Sequence, residues 1–255
     1  MSSRACLLPA GIALALALAA ARGACAAPAA DSTAAPAIHH PLLWSAVTVA
    51  AIGVAAAFDR RLDLETDESH PIVAHQLART FQPLGNGVVL GSGVALTYGA
   101  ARLFHRPGLA DAAVRVGAAD FVAAASALVL KEAVGRRRPD DAPGDPWSFH
   151  PFSGDRSFPS GHATLAFATA VAVDRETRAA WVPWVVYPAA TLVGWSRIRD
   201  DEHWLSDVAA GAALGAWSAT LVENRLQRHE PRWLARLAWG IEPGRDGFLV
   251  CVTAH

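Results

Sequence analysis

The sequence is poor in charge, in lysine and in cysteine, and each shortage narrows what the chain can do. Only 18% of its 255 residues are charged, against roughly 25% in an average soluble chain. The formal charge is −1, so neither a polybasic nucleic-acid footprint nor a highly charged disordered chain fits. Its 22 basic residues are 21 arginines and one lysine, Lys131. A bias toward arginine does not explain why one ammonium is kept. Cysteine is confined to Cys6, Cys25 and Cys251, and loss of the first 26 residues would leave a single thiol. That excludes an intrachain disulfide, a zinc cluster and CxxC redox chemistry. Mean hydropathy is only weakly positive, so composition leaves a soluble and a membrane-embedded protein both open.

Residues 1–26 read as an export signal. Arg4 supplies the positive start, Leu7 to Ala21 the apolar run, and Ala24-Cys25-Ala26 a small-residue cleavage site. An uncleaved first membrane helix is the competing reading; a lipoprotein signal at Cys25 is disfavoured by Arg22. Residues 27–40, rich in Ala and Pro, read as a linker. One domain then occupies 41–222, and 223–255 form a tail. Six apolar stretches (42–58, 84–104, 111–130, 162–173, 180–195 and 205–222) lack strand-like alternation and are divided by Pro, Gly and charge. They predict an all-α, six-helix bundle. A short amphipathic helix is predicted over 231–239, and Gly247–Val252 as extended chain. The segment 84–104 is long enough to span a bilayer, whereas 111–130 carries Asp111, Arg115 and Asp120. Trp181, Trp184 and Trp195 bracket the fifth stretch as interfacial anchors would.

Three polar clusters stand at the ends of these stretches. In the first, Lys131 is followed after six residues by Arg138-Pro139. Seven positions are nearly two helical turns, so both cations would share a face if the helix persisted; Arg136 and Arg137 read as a solvated basic turn. The second, Pro159-Ser160-Gly161-His162, opens the fourth stretch. A Ser-Gly helix start offers free N–H groups to an anion, and His162 can move a proton near neutral pH. In the third, Ser196-Arg197 leads to His203 and Asp207. Four residues apart, His203 and Asp207 would be neighbours on a helix, with the carboxylate orienting the imidazole as in a catalytic triad. Each cluster alone has a plain structural reading: a basic turn, a Ser N-cap, a His–Asp surface pair.

Taken together, in this order and with 19 and 33 residues between them, the clusters resemble the type 2 phosphatidic acid phosphatase family. That family shares its fold and site with vanadium-dependent haloperoxidases. The resemblance covers roughly 84–222, and the flanking Ser157-Phe158 and Trp204-Leu205-Ser206 agree with it. It implies a helical bundle with its site at helix ends. His203 would attack phosphorus and form a phosphohistidine, Asp207 would hold its ring, and His162 would protonate the leaving oxygen. Lys131, Arg138, Arg197, the Ser160 hydroxyl and the Gly161 amide would bind the phosphate oxygens.

The expectation is therefore a phosphoric ester hydrolase needing no metal or cofactor. Its substrate would be a phosphate monoester or pyrophosphate, with a phosphorylated lipid favoured. It would associate with an inner membrane, its site facing the periplasm, and bind no nucleic acid. A soluble periplasmic acid phosphatase of broad specificity, with the same chemistry, is the alternative; a vanadium haloperoxidase ranks behind both. A metal site at His162, His203 and Asp207 is disfavoured, because Lys131, Arg138 and Arg197 would repel a cation. The acidic run Asp63–Glu68 reads as a solvated connector. The loop 140–158, with Trp147, Phe149 and Phe152, reads as a substrate lip.

Overall fold

The computed structural model describes residues 41–68, 72–228, 238–244 and 247–253. The export signal expected over 1–26 and the linker over 27–40 lie outside the described residues. Seven helices run through the described residues: α1 (Pro41–Glu68), α2 (Ile72–Phe81), α3 (Gly87–Leu103), α4 (Pro107–Val134), α5 (Gly161–Thr177), α6 (Pro183–Arg199) and α7 (Leu205–Arg228). A 3₁₀ turn, Gln82–Gly85, joins α2 to α3. Strands β1 (Ala238–Gly244) and β2 (Gly247–Thr253) pair antiparallel. The extended segment at 247–252 thus finds its partner in β1. Of the helix expected over 231–239, only 238 and 239 are described, and both lie in β1.

All six apolar stretches are helical. The seventh helix, α2, is a ten-residue piece lying against α6, too short to stand out from the polar sequence around it. The run Asp63–Glu68 is not a connector: α1 continues through it. No Gly or Pro interrupts the chain there before Pro71, and nothing else in that segment stops a helix. Elsewhere the ends are signalled conventionally. The Asn86 side chain accepts N–H bonds from Val88 and Val89 at 2.9 and 3.3 Å, and Pro107 and Pro183 stand at first-turn positions of α4 and α6.

Helix α5 is the centre, packed on α4, α6 and α7. Its contacts are made by small residues: Ala163, Ala168 and Ala172 are fully buried, as are Ala112, Ala113, Ala119 and Ala123 of α4 and Ala219 of α7. Small side chains let helix backbones approach closely. Gly211 and Gly215 of α7 are the limiting case. A Cβ on Gly211 would lie 2.6 Å from the Ser160 carbonyl oxygen, and one on Gly215 2.1 Å from that of Thr164. Polar pairs bridge the helices inside this apolar frame, Thr169 to Asp120 at 2.8 Å and Arg115 to Glu176.

Helices α4 and α7 are long and apolar enough to cross a membrane. Helix α3, at 17 residues, is shorter than the stretch that sequence delimited, and a span of about 20 residues is the usual requirement. Val88, Leu96, Phe104, Phe121, Val129, Trp184 and Trp217 project outward. The end of α4, the start of α5, the end of α6 and the start of α7 meet at one pole, and the three clusters sit there.

Candidate active site

Lys131 lies in the last turn of α4. Gly135 ends that helix in a left-handed conformation, φ 57°, with its N–H bonded to the Lys131 carbonyl at 2.9 Å. A Cβ there would fall 1.8 Å from the His150 carbonyl oxygen, so only glycine fits. The helix therefore does not persist to Arg138, and a shared helical face is not what joins the two cations. Arg138 returns to the pole from the loop, ion-paired with Glu202. The stop signal is Gly135, four residues ahead of Pro139. The Lys131 ammonium donates to the Arg156 carbonyl at 2.6 Å.

Ser160 is the N-cap of α5. It is fully buried, its hydroxyl faces the Ala163 N–H at 3.5 Å, and its own N–H donates to the Asp207 carbonyl at 3.0 Å. Gly161 follows, and a Cβ on it would sit 3.7 Å from Cε of Lys131. The lysine stem thus runs beside the start of α5, uniting the first two clusters. His162 is held from behind by Gly85, whose Cβ would be 2.9 Å from that of His162.

The third cluster spans two elements. Arg197, in the last turn of α6, is buried and pairs with Glu202 at 3.3 Å and Asp200 at 3.4 Å. Its Nε is also buried and has no hydrogen-bond partner among the described residues, an uncommon state for a buried donor. His203 and Asp207 do not share a helical face, since α7 begins at Leu205 and His203 precedes it. Asp207 sits in the first turn and reaches back to accept the Trp204 N–H at 3.0 Å, a capping geometry. That fold-back brings its Oδ2 to 3.8 Å from Nδ1 of His203. The Ser157 hydroxyl lies between them, donating to Asp207 at 2.5 Å and 3.5 Å from Nδ1. Nε2 is the nitrogen left for chemistry.

Arg136 is no solvated turn residue. It is 3% exposed and bonds to Asp207 at 2.6 Å, Ser206 at 2.7 Å, Asp59 at 2.9 Å and the Pro146 carbonyl at 2.6 Å. Phe149 and Trp204 lie 5.4 and 5.5 Å from its guanidinium carbon. Asp59 of α1 also accepts both the N–H and the hydroxyl of Ser206, at 2.9 and 2.6 Å. Sequence reasoning missed Asp59. Its only signal is a lone carboxylate closing an apolar run, which reads equally as a helix end.

The charges act on one another across the pole. Burial first, then the Arg197 guanidinium and the His203 ring, push the His162 imidazole down to about 4. Burial also lowers His203, opposed by Asp207. Both rings are thus held neutral at ordinary pH, one fit for attack and the other in need of added negative charge before it can carry a proton. Among the described residues, no three His, Cys, Asp or Glu side chains are grouped to hold a metal ion. Lys131, Arg138 and Arg197 gather positive charge at the same pole as the two imidazoles.

Residues 112–230 match the PAP2 superfamily. The chain is 38% identical over 102 residues to the lipid A 1-phosphatase of Rhizobium johnstonii, covering 37% of this chain and 40% of that one. It is also 38% identical over 115 residues to the decaprenylphosphoryl-5-phosphoribose phosphatase of Mycobacterium tuberculosis, covering 42% and 58%. The matches span less than two thirds of these relatives' lengths. In fold, the chain resembles the crystal structure of a transmembrane PAP2 type phosphatidylglycerolphosphate phosphatase from Bacillus subtilis. The TM-score is 0.54 with 22% identity, covering 87% of this chain and 98% of the other.

Proposed function

We propose that this PAP2 superfamily chain is a phosphatase that hydrolyses a lipid phosphate monoester or pyrophosphate through a phosphohistidine, without a metal. The observation that carries the reading is the meeting of His162 and His203 with Lys131, Arg138 and Arg197, where Arg197 keeps a buried, unpaired Nε. Phosphoryl transfer asks a protein mainly for positioning and charge stabilisation, and this pole is built of little else. Nε2 of His203 gives its lone pair to phosphorus as the bond to the leaving oxygen breaks. His162, which takes up a proton from water as the phosphate anion raises its basicity, gives that proton to the leaving oxygen. Water then attacks phosphorus, its proton passes to His162, the P–N bond breaks and orthophosphate leaves. The guanidinium and ammonium groups hold the equatorial oxygens throughout, as does the Gly161 amide.

The lipid preference rests on the outward apolar residues of α3, α4 and α7 and on the lipid phosphates named for the relatives. The same features support membrane association; an inner membrane with the site facing the periplasm is proposed from the export signal read over residues 1–26. Purified full-length chain, assayed with chelator on a panel of phosphate esters, should release phosphate, and His203→Ala should release none. Release that survives His203→Ala, or that chelation abolishes and zinc restores, would overturn the mechanism. Recovery of the active protein from the aqueous fraction, without detergent, would instead favour the soluble periplasmic enzyme.

A further inference from the structure

We infer that Asp59, on a helix outside the matched segment 112–230, is a positioning residue for the nucleophile: by neutralising Arg136 it leaves the charge of Asp207 available to His203. The inference rests on the phosphohistidine reading and extends it to a part of the chain that none of the three clusters includes.

The argument is one of charge within a dry cluster. Asp59, Arg136 and Asp207 are 1%, 3% and 0% exposed, so their mutual fields are little screened by water. Arg136 lies 2.6 Å from one oxygen of Asp207 and 2.9 Å from one of Asp59. A guanidinium that close to Asp207 alone would cancel most of the field that the carboxylate exerts on His203. The imidazole gains positive charge as it attacks phosphorus, with Lys131 and Arg197 opposing that charge. The second carboxylate changes the balance: Asp59, Arg136 and Asp207 together keep one net negative charge. Geometry is served as well. Asp59 accepts the N–H of Ser206 at 2.9 Å, one of the orphan donors at the start of α7. It therefore fixes the turn from which Asp207 folds back.

The other groups facing the dyad are Lys131 from α4, His162 from α5, Arg197 from α6, Glu202 from the intervening turn and the neutral Ser157. None of them bonds to Asp59, so substitution at Asp59 leaves them in place and changes the charge behind Asp207. His203 must be neutral to attack, so the acid limb of the rate profile follows its titration. Removing a negative charge disfavours its protonated form and moves that limb to lower pH.

The test is phosphate release from dioctanoyl phosphatidate by the full-length chain, in chelator, across pH. Asp59→Asn should lower kcat about tenfold, leave KM within about twofold, and shift the acid limb down by roughly one pH unit. The double variant Asp59→Asn/Arg136→Gln restores one net negative charge, and its acid limb should return to the wild-type position. A merely structural role would cost yield or melting temperature without moving the limb in one variant and restoring it in the other. An unmoved limb in Asp59→Asn, or a double variant whose limb stays with the single one, overturns the inference. Should Asp59→Asn not fold, the double variant is compared with wild type directly, and a displaced limb overturns it. A His203→Ala protein that still releases phosphate defeats the underlying mechanism. An inactive His203→Ala beside an unaltered Asp59→Asn defeats this inference alone.

Discussion

Gly215 offers a severe test of how the pole is held. It faces α5 at the tightest point of the α5–α7 crossing: a Cβ added there would lie 2.1 Å from the Thr164 carbonyl oxygen, 2.9 Å from the Ala168 nitrogen and 3.0 Å from the Thr164 carbonyl carbon. All three are backbone atoms of α5, so no side-chain rotation relieves the overlap. Ordinary contact begins at 3.4 Å, and Gly215→Ala must therefore push the helices apart by more than 1 Å. Overpacking of this kind costs about 2 kcal/mol, a Tm lower by roughly 4–8 °C for a chain of this size. The rate should suffer more. Helix α5 carries Ser160 and His162, and α7 carries Asp207, one turn beyond Gly211 and its own close approach to Ser160. A misplacement of about 1 Å between catalytic groups costs on the order of 100-fold in kcat. Gly99→Ala is the control, because a Cβ there meets nothing within 4 Å; it should keep full activity and gain about 0.5–1 kcal/mol from helix propensity. Thermal melts and steady-state kinetics on the two variants decide the matter. If Gly215→Ala melts and turns over like wild type, the crossing does not set the geometry of the pole.

Further consequences concern the site itself. The His162 imidazole is held down to about 4 in the free protein and rises when a phosphate anion arrives, so the alkaline limb of kcat should lie at higher pH than that of kcat/KM; coincident limbs would remove His162 as the acid. Ser157→Ala removes the hydroxyl between His203 and Asp207, letting the two close up, and should move the acid limb of kcat to higher pH; a downward move would show that Ser157 holds the dyad together. Lys131→Arg replaces a compact ammonium that runs beside Gly161 with a broader planar group and should cost at least about tenfold in kcat; full activity would show that an ammonium is not required. Trimming Trp147 and Phe152, both exposed on the loop between α4 and α5, should change the ratio of rates on lipid and soluble phosphate esters. An unchanged ratio would dismiss that loop as a substrate lip.

What sequence made legible was chemistry carried on short spacings. Ser160-Gly161 reads as a helix start because a hydroxyl and a missing Cβ suit free amides, and α5 begins there. Asp207 reads as a partner for His203, and the two meet. The routes of contact were less legible. Both helix-face arguments fail for one reason: spacing arithmetic assumes a continuous helix, whereas α4 stops at Gly135 and α7 starts at Leu205. Arg136 illustrates the larger gap. Three adjacent arginines look alike in sequence, yet Arg136 is buried between two carboxylates, the Arg137 guanidinium donates to the Asp141 carbonyl, and Arg138 pairs with Glu202. Only tertiary structure tells them apart, because Asp59 lies 77 residues from Arg136 and no local pattern anticipates it.

Glu202 shows how the same pole keeps its cations in order. One carboxylate oxygen faces Arg138 and the other faces Arg197, so a single side chain braces two arginines that arrive on different elements. Such bracing weakens the net positive field, and on the proposed reading a phosphate would compete with it. It also supplies what charge alone cannot. Long guanidinium side chains in water spend their entropy on many rotamers, and ordering them at the moment of reaction would subtract from the stabilisation they offer. On the proposed reading, Arg138 and Arg197, already restrained by Glu202, would meet the anion close to their working geometry. The fully buried Asp207 is bridged by Arg136 to Asp59 in the same way, and Ser160 is fixed by its N–H bond to the Asp207 carbonyl. The pole is therefore braced in two sets: Arg138 and Arg197 by Glu202, and Arg136 by Asp59 and Asp207 in a cluster at most 3% exposed.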